Sequence, residues 1–382
     1  MKRTIAVLAV LGLLLCLLPG RARAAELDTE GKSAVLMDVQ TGTVLYEKNA
    51  HEPLAPASVT KVMTLLLIME AIDSGKTHWN DTVTASEAAA AKGGSQIYLK
   101  VGETMSVTDL VKSITVSSAN DAACAMAEHI AGSESAFVER MNARAAELGM
   151  EDTHFVNCTG LDDGEDAASH RTSAYDIAIM SRELLKNHPD IRKFTTIWMD
   201  TIRNGAFGLS NTNKMVRFYP GCTGLKTGVT SGAGYCLSAS AERDGLGLIA
   251  VVMGCETSQI RTAACKTMLD YGFANYALVS PKLEEVPQIP VTLGKTGTVA
   301  AELGGCGDLL IDKAQKSGIT MEITLEPMLD APVNKGQSLG TMTVRSGDSV
   351  LAQIPLVAAE TVERKTWTDL FVTVLRKIAM AK

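Results

Sequence analysis

The sequence predicts an α+β domain with an antiparallel sheet and a helical cluster, followed by a small all-β domain and a C-terminal amphipathic helix. Three observations carry this expectation. Strand-like runs stand near both ends of the first 276 residues with helical patterns between them, so the terminal segments share one sheet. Pro281, Pro287 and Pro290 then punctuate a linker-like stretch, after which short alternating runs replace the helical period. From Glu363 to Lys382 the helical spacing returns.

The N-terminus reads Met1-Lys2-Arg3, an apolar run from Ile5 to Leu18, then Ala22-Arg23-Ala24. This is the pattern of an export signal over residues 1–24, cleaved before Ala25. The run is shorter than the roughly 20 residues needed to cross a bilayer. Leu15 is bulky where a lipoprotein signal wants a small residue before Cys16, which argues against lipidation.

From Ala34 to Tyr46, two apolar runs flank Val39-Gln40-Thr41-Gly42 and read as a β-hairpin. After Pro53 and Pro56 the period changes: Val62, Leu65, Leu66 and Met69 predict a helix starting near Ser58, buried on most sides. Helical periodicity recurs from Val107 to Ile130 and from Ala136 to Leu148. Tyr235 to Ala241 and Leu246 to Met253 are strands joined through Arg243-Asp244-Gly245, and Arg261 to Ala274 is a closing helix. Four further runs, Val286–Val291, Ile319–Leu325, Gly340–Val344 and Val350–Val357, outline a β-sandwich-like domain over 277–360.

In the tail, residues 361–382, Trp367, Leu370, Phe371, Val374 and Ile378 share one helical face. Over residues 364–382, Arg364, Lys365, Arg376, Lys377 and Lys382 oppose a single acidic residue, Asp369, a pattern suited to a membrane surface. The plain alternative is a helix packed on the β domain.

A net charge of -7 argues against a nucleic-acid partner. Past the signal, Cys124, Cys158, Cys222, Cys236, Cys255, Cys265 and Cys306 form no Cys-x-x-Cys pair, so neither a zinc site nor a dense disulfide framework is expected. An odd number leaves at least one thiol unpaired within the chain, and most read as small buried hydrophobes. The six histidines make no His-Glu-x-x-His motif; no catalytic metal or cofactor is expected.

The chemistry lies in three short fragments. Ser58-Val59-Thr60-Lys61 places a hydroxyl and an amine on one helical face, and Lys61 can act as a base if burial depresses its pKa. Backbone N–H groups at the helix start are free to stabilise an oxyanion. Ser118-Ala119-Asn120 sits at a turn, where Ser118 can relay a proton and Asn120 can bind a substrate amide. Lys226-Thr227-Gly228 on a strand edge can hold a carboxylate by charge and hydroxyl, with Gly228 admitting substrate backbone. Each fragment alone is ordinary, a capping serine or a surface lysine. Their order, with 60 residues between the serines and 108 from Ser118 to Lys226, leaves room for an intervening helical region.

In these motifs the chain resembles the penicillin-recognising serine enzymes with the β-lactamase/transpeptidase-like fold. It is most similar to the low-molecular-mass D-alanyl-D-alanine carboxypeptidases of serine peptidase family S11. Leu54-Ala55-Pro56-Ala57-Ser58, Thr172-Ser173-Ala174-Tyr175-Asp176, Asn211-Thr212-Asn213 and Gly232-Ala233-Gly234-Tyr235 add to the likeness, which spans roughly Ser33 to Phe273. The resemblance implies a D,D-peptidase domain over 25–276, acylated at Ser58 by a peptidoglycan stem pentapeptide ending in D-Ala-D-Ala, or by β-lactams. It further implies an oxyanion hole from the N–H groups of Ser58 and Val229, with Arg261 helping to hold the terminal carboxylate. Some relatives carry His where Val229 stands. A serine β-lactamase and a non-catalytic sensor of β-lactams or peptidoglycan are the alternatives.

Three other features carry no chemistry on this reading. A second Lys-Thr-Gly at Lys295, Thr296 and Gly297 lies in the Pro-rich entrance to the β domain and reads as a turn. Glu183 and Asn187 imitate a water-positioning pair but sit at a helix end before Pro189. His170 reads as structural or rim-lining.

Overall fold

The computed structural model describes residues 27–164, 166–305 and 307–380. The expected export signal, Cys306 and Lys382 lie outside them.

The first sheet has five antiparallel strands: β1 (Ser33–Asp38), β2 (Val44–Lys48), β3 (Cys222–Thr230), β4 (Gly234–Arg243) and β5 (Leu246–Cys255). Their spatial order is β2-β1-β5-β4-β3, so the N-terminal hairpin joins a strand more than 200 residues later. In register, Ser33 faces Met253 and Asp38 faces Leu248 across β1 and β5. The strands β1 and β5 are apolar on both faces because both are covered. One face meets the helical cluster through Val35, Met37, Ile249 and Val251. The other receives Cys265, Met268 and Leu269 of a long helix, α6 (Ser258–Asn275), which packs against Leu36, Leu248 and Val252. Thr257 caps that helix by accepting from the Ile260 N–H at 3.2 Å, so it begins before the expected Arg261.

The cluster is centred on α1 (Lys61–Asp73). Val62, Leu66, Ile68 and Met69 are all fully buried, as expected for a helix apolar on most sides. At about 1.5–3 kcal/mol for each such side chain, this burial outweighs any local propensity. Around it stand α2 (Val107–Ser117), α3 (Asn120–Ala131), α4 (Glu134–Glu147) and α5 (Ala174–Asn187). The helical period from 107 to 130 is thus divided between two helices. The division falls at the expected turn, where Ser118 is left-handed at φ 62 and ψ 27.

Tyr276, at the expected domain boundary, opens β6 (Tyr276–Val279), whose Tyr276 and Leu278 still pack on the first domain's core. Beyond it are β7 (Gln288–Thr292), β8 (Thr298–Leu303), β9 (Leu309–Asp312), β10 (Ile319–Leu325), β11 (Leu329–Asp330), β12 (Ser338–Ser346) and β13 (Ser349–Ala358). Six of them form a sheet in the order β10-β12-β13-β8-β7-β11, while β6 pairs with β9. The strands β8 and β9 escape the alternation rule: β8 carries two consecutive alanines, and β9 has only four residues.

The last element is α7 (Trp367–Met380). Trp367 is 87% exposed and Phe371, Val374 and Ile378 also lie open, so the apolar face is not packed on the β domain. No helix among the described residues is long and apolar enough to cross a membrane.

Candidate active site

A single 3-10 turn, Ala57–Thr60, carries Ser58 into the start of α1, and Lys61 is the first residue of that helix. The Lys61 ammonium nitrogen lies 3.0 Å from Ser58 Oγ and donates to the Thr159 carbonyl at 2.7 Å. Lys61 is fully buried, and burial lowers its pKa to about 7, against the raising pull of Cys158 and Asp121. A lysine poised there is available in neutral form to take a proton from the hydroxyl next to it.

The Thr159 carbonyl belongs to a loop that the motifs did not reveal. Asn157 Oδ1 accepts from the N–H groups of Thr159 and Gly160 at 3.1 and 2.7 Å and folds the loop back on itself. Thr64 Oγ1 donates to the Cys158 carbonyl at 2.6 Å, clamping the loop to α1. Gly160, at φ 81, lies so close that a Cβ there would stand 1.8 Å from the Ala57 carbonyl oxygen. No spacing rule links residues 98 positions apart, so Asn157, Thr159 and Gly160 were invisible as site residues.

Ser118 is buried in the α2–α3 turn, and Asn120 opens α3. Asn120 donates to the Gly93 carbonyl at 2.7 Å, but its Oδ1 is buried with no partner. An orphaned buried acceptor suits the N–H of a bound peptide. The adjacent Asp121 is held by the N–H groups of Ile97 and Leu99 and supplies negative charge toward Lys61.

The opposite wall is β3, the sheet edge. Gly228 is pressed against the helix start: a Cβ there would stand 2.7 Å from the Pro56 carbonyl oxygen and 3.0 Å from the Ser58 nitrogen. Lys226 is buried and donates to the Thr227 carbonyl at 2.8 Å. Burial, then the positive charges of Lys61 and Arg261, hold its pKa well below the ordinary lysine value. An incoming carboxylate would relieve that repulsion. Thr227 Oγ1 lies 2.6 Å from Thr212 Oγ1, and the Thr212 N–H donates to the Val116 carbonyl at 3.1 Å. Thr212 therefore ties the end of α2, two residues before Ser118, to β3.

Arg261, near the start of α6, is buried and donates to the carbonyls of Gly228 and Cys236 at 3.0 and 3.2 Å. Its guanidinium lies over the Tyr235 ring, its Nε is unpartnered, and with Thr227 it lines a cavity of about 330 Å³. Val229 is half exposed on the same edge strand, beyond Gly228.

Of the three features read as non-catalytic, two lie elsewhere and His170 lies directly beneath the helix start. Lys295 is exposed and ion-paired with Glu363. Glu183 pairs with Arg144 and accepts from Asn187 Nδ2 at the end of α5. His170 is buried, not on the rim: its Nδ1 accepts from the Val156 N–H and its Nε2 lies 2.8 Å from Thr60 Oγ1. Burial lowers its pKa to about 4, so it is a neutral brace beneath the helix start.

The arrangement can perform acyl transfer: a nucleophile beside a depressed lysine, a second buried serine, and a cationic strand edge. Comparison with known proteins agrees with that chemistry. The sequence profile of the S11 peptidases, described as D-alanyl-D-alanine carboxypeptidase, matches residues 21–257, and that of the penicillin-binding protein 5 C-terminal domain matches 279–364. D-alanyl-D-alanine carboxypeptidase DacF of Bacillus subtilis is 42% identical over 99% of this chain and 98% of its own length. Penicillin-binding protein 5 of Haemophilus influenzae superposes with a TM-score of 0.74 at 31% identity, covering 88% of this chain and 98% of that one. Penicillin-binding protein D2 of Listeria monocytogenes in its ampicillin-bound form covers 65% of this chain and 99% of that one, with a TM-score of 0.59 at 32% identity. Motif order, sheet topology and these likenesses converge, and the chain belongs to the D-alanyl-D-alanine carboxypeptidase family of serine peptidases.

Proposed function

We propose that the chain is a serine D-alanyl-D-alanine carboxypeptidase that removes the terminal D-Ala from peptidoglycan stem pentapeptides. The observation that carries this is the 3.0 Å contact between Ser58 Oγ and a buried Lys61 whose pKa is lowered to about 7. Neutral Lys61 takes the Ser58 proton as Oγ attacks the penultimate D-Ala carbonyl. The N–H groups of Ser58 and Val229 face the oxyanion, and Ser118 passes a proton to the departing amine. Lys226 and Thr227, with Arg261 behind them, hold the terminal carboxylate, while Asn120 receives the substrate amide. Water then hydrolyses the acyl-enzyme. A β-lactam presents a similar carboxylate and carbonyl and acylates the same serine; the likeness to a protein solved with ampicillin supports this.

The test is release of D-Ala from a diacetyl-Lys-D-Ala-D-Ala peptide together with labelling by fluorescent penicillin. Ser58→Ala should lower release by at least about a thousandfold and abolish labelling. Labelling that persists would mean another nucleophile; labelling of intact protein without D-Ala release would favour the sensor, and rapid penicillin turnover the β-lactamase.

The amphipathic tail and the signal-like N-terminus support a protein exported to the outer face of the cytoplasmic membrane, where it acts in cell-wall peptidoglycan. The exposed Trp367, Phe371 and Ile378 with their basic neighbours suit an interfacial helix. Removing residues 363–382 should move the protein from the membrane to the soluble fraction; unchanged membrane recovery would overturn the anchor.

A further inference from the structure

Two thiols from different elements meet behind Lys61. Cys124 lies one turn into α3, the helix that Asn120 opens, and Cys158 precedes Thr159, whose carbonyl receives the Lys61 ammonium. Both are fully buried and flank one carboxylate: Cys158 Sγ lies 3.2 Å from Glu134 Oε1 and Cys124 Sγ 3.8 Å from Glu134 Oε2. Cys124 is also the first influence on the Cys158 thiol, raising its pKa. Glu134 is anchored independently by Lys92 and by the Cys158 N–H, so it keeps partners if both thiols are lost. Among the described cysteines, Cys236 and Cys265 instead spend their sulfurs on backbone carbonyls.

We infer that Cys124 and Cys158 form a cross-linking site, and that a disulfide between them braces the Thr159 carbonyl against Lys61. The oxidant is a donor disulfide, either a small-molecule disulfide or a protein thiol oxidant. One cysteine thiolate attacks a donor sulfur and expels a thiolate; the second cysteine then attacks the mixed disulfide and expels the other. Two cysteine protons end on the two donor thiols, and one donor disulfide is reduced. The chemistry belongs to the folding chain, before α3 and the 157–160 loop close over the sulfurs, because the neighbouring Cys124 thiol and then burial raise the Cys158 pKa well above the usual thiol range once they have closed.

The bracing has a consequence for Lys61. Around its ammonium stand Asp121 from α3, Cys158 from the loop, Lys226 from β3 and, beneath the helix start, His170. A loosened loop admits water, lessens the burial that depresses Lys61, and moves its pKa upward. That half of the inference rests on Lys61 being the base in the proposed function; the cross-link itself is read without any activity.

The full chain is refolded with glutathione disulfide, the remaining thiols are capped, and tryptic peptides are mapped before and after reduction. The expected result is a Cys124–Cys158 peptide, and a melting temperature about 5 °C or more above that of dithiothreitol-reduced protein. Both thiols being capped after oxidative refolding would overturn the cross-link. Penicillin acylation against pH is then followed in oxidised, reduced and Cys124→Ala/Cys158→Ala protein. Its acid limb should rise by about half a unit or more in the last two. A cross-linked peptide with an unmoved limb would overturn the bracing, whereas failure of every form to acylate would strike the proposed function instead.

Discussion

The chain contains two Lys-Thr-Gly triplets, and their surroundings differ in every respect that matters for chemistry. Lys226 is buried on an edge strand beside two other positive charges, and its neighbour Gly228 presses on the turn that carries Ser58. Lys295 is exposed in the turn between β7 and β8 and is neutralised by Glu363; a Cβ on Gly297 would meet nothing within 4 Å. The same three residues are thus a desolvated stretch of strand edge in one place and a solvated turn in the other. Desolvation separates them: a buried charge with no opposite charge beside it binds an incoming anion far more strongly than one already ion-paired in water.

The largest contrast should come from Lys226→Ala, which removes the buried cation and should cost about 2–5 kcal/mol in kcat/KM for D-Ala release. A variant within twofold of wild type would remove Lys226 from the anchor. Next is Gly228→Ala. Its new Cβ is driven toward the Pro56 carbonyl and the Ser58 N–H, so penicillin acylation should slow by tenfold or more, about 1.4 kcal/mol. Unchanged acylation would show that the strand and helix start can part freely.

The pH profile follows from the depressed lysine. Protonated Lys61 cannot accept the Ser58 proton, so acylation should fall as pH drops through about 7 and level off above it. The rate at pH 6 should be about one-tenth of that at pH 8. A flat profile across that range would remove Lys61 as the titrating base. The smallest effects belong to the other triplet: Lys295→Ala and Gly297→Ala should both leave kcat/KM within about twofold of wild type.

The helical spacing that places Lys61 beside Ser58 is a local property of a few neighbouring residues, and it is legible in the sequence. The N-terminal hairpin and the β4–β5 pair are equally legible, because alternation and turn residues are local. Motif order also points to the reaction class. The apolar period from 107 to 130 runs through Ser118 without registering its left-handed backbone; the turn there is legible only from the polar triplet. Local pattern could not place the Thr159 carbonyl against Lys61, the Thr212 bridge to Thr227, or Cys124 and Cys158 on the one Glu134 carboxylate. Those depend on chain segments far apart in sequence being packed together. The burial that lowers Lys61 and Lys226 has the same origin, since it comes from helices and strands that surround them on all sides. Residue type and spacing single out the candidate nucleophile, base and anion anchor; the depressed lysine pKa values are set by long-range packing, which removes water from a lysine only when distant elements close over it.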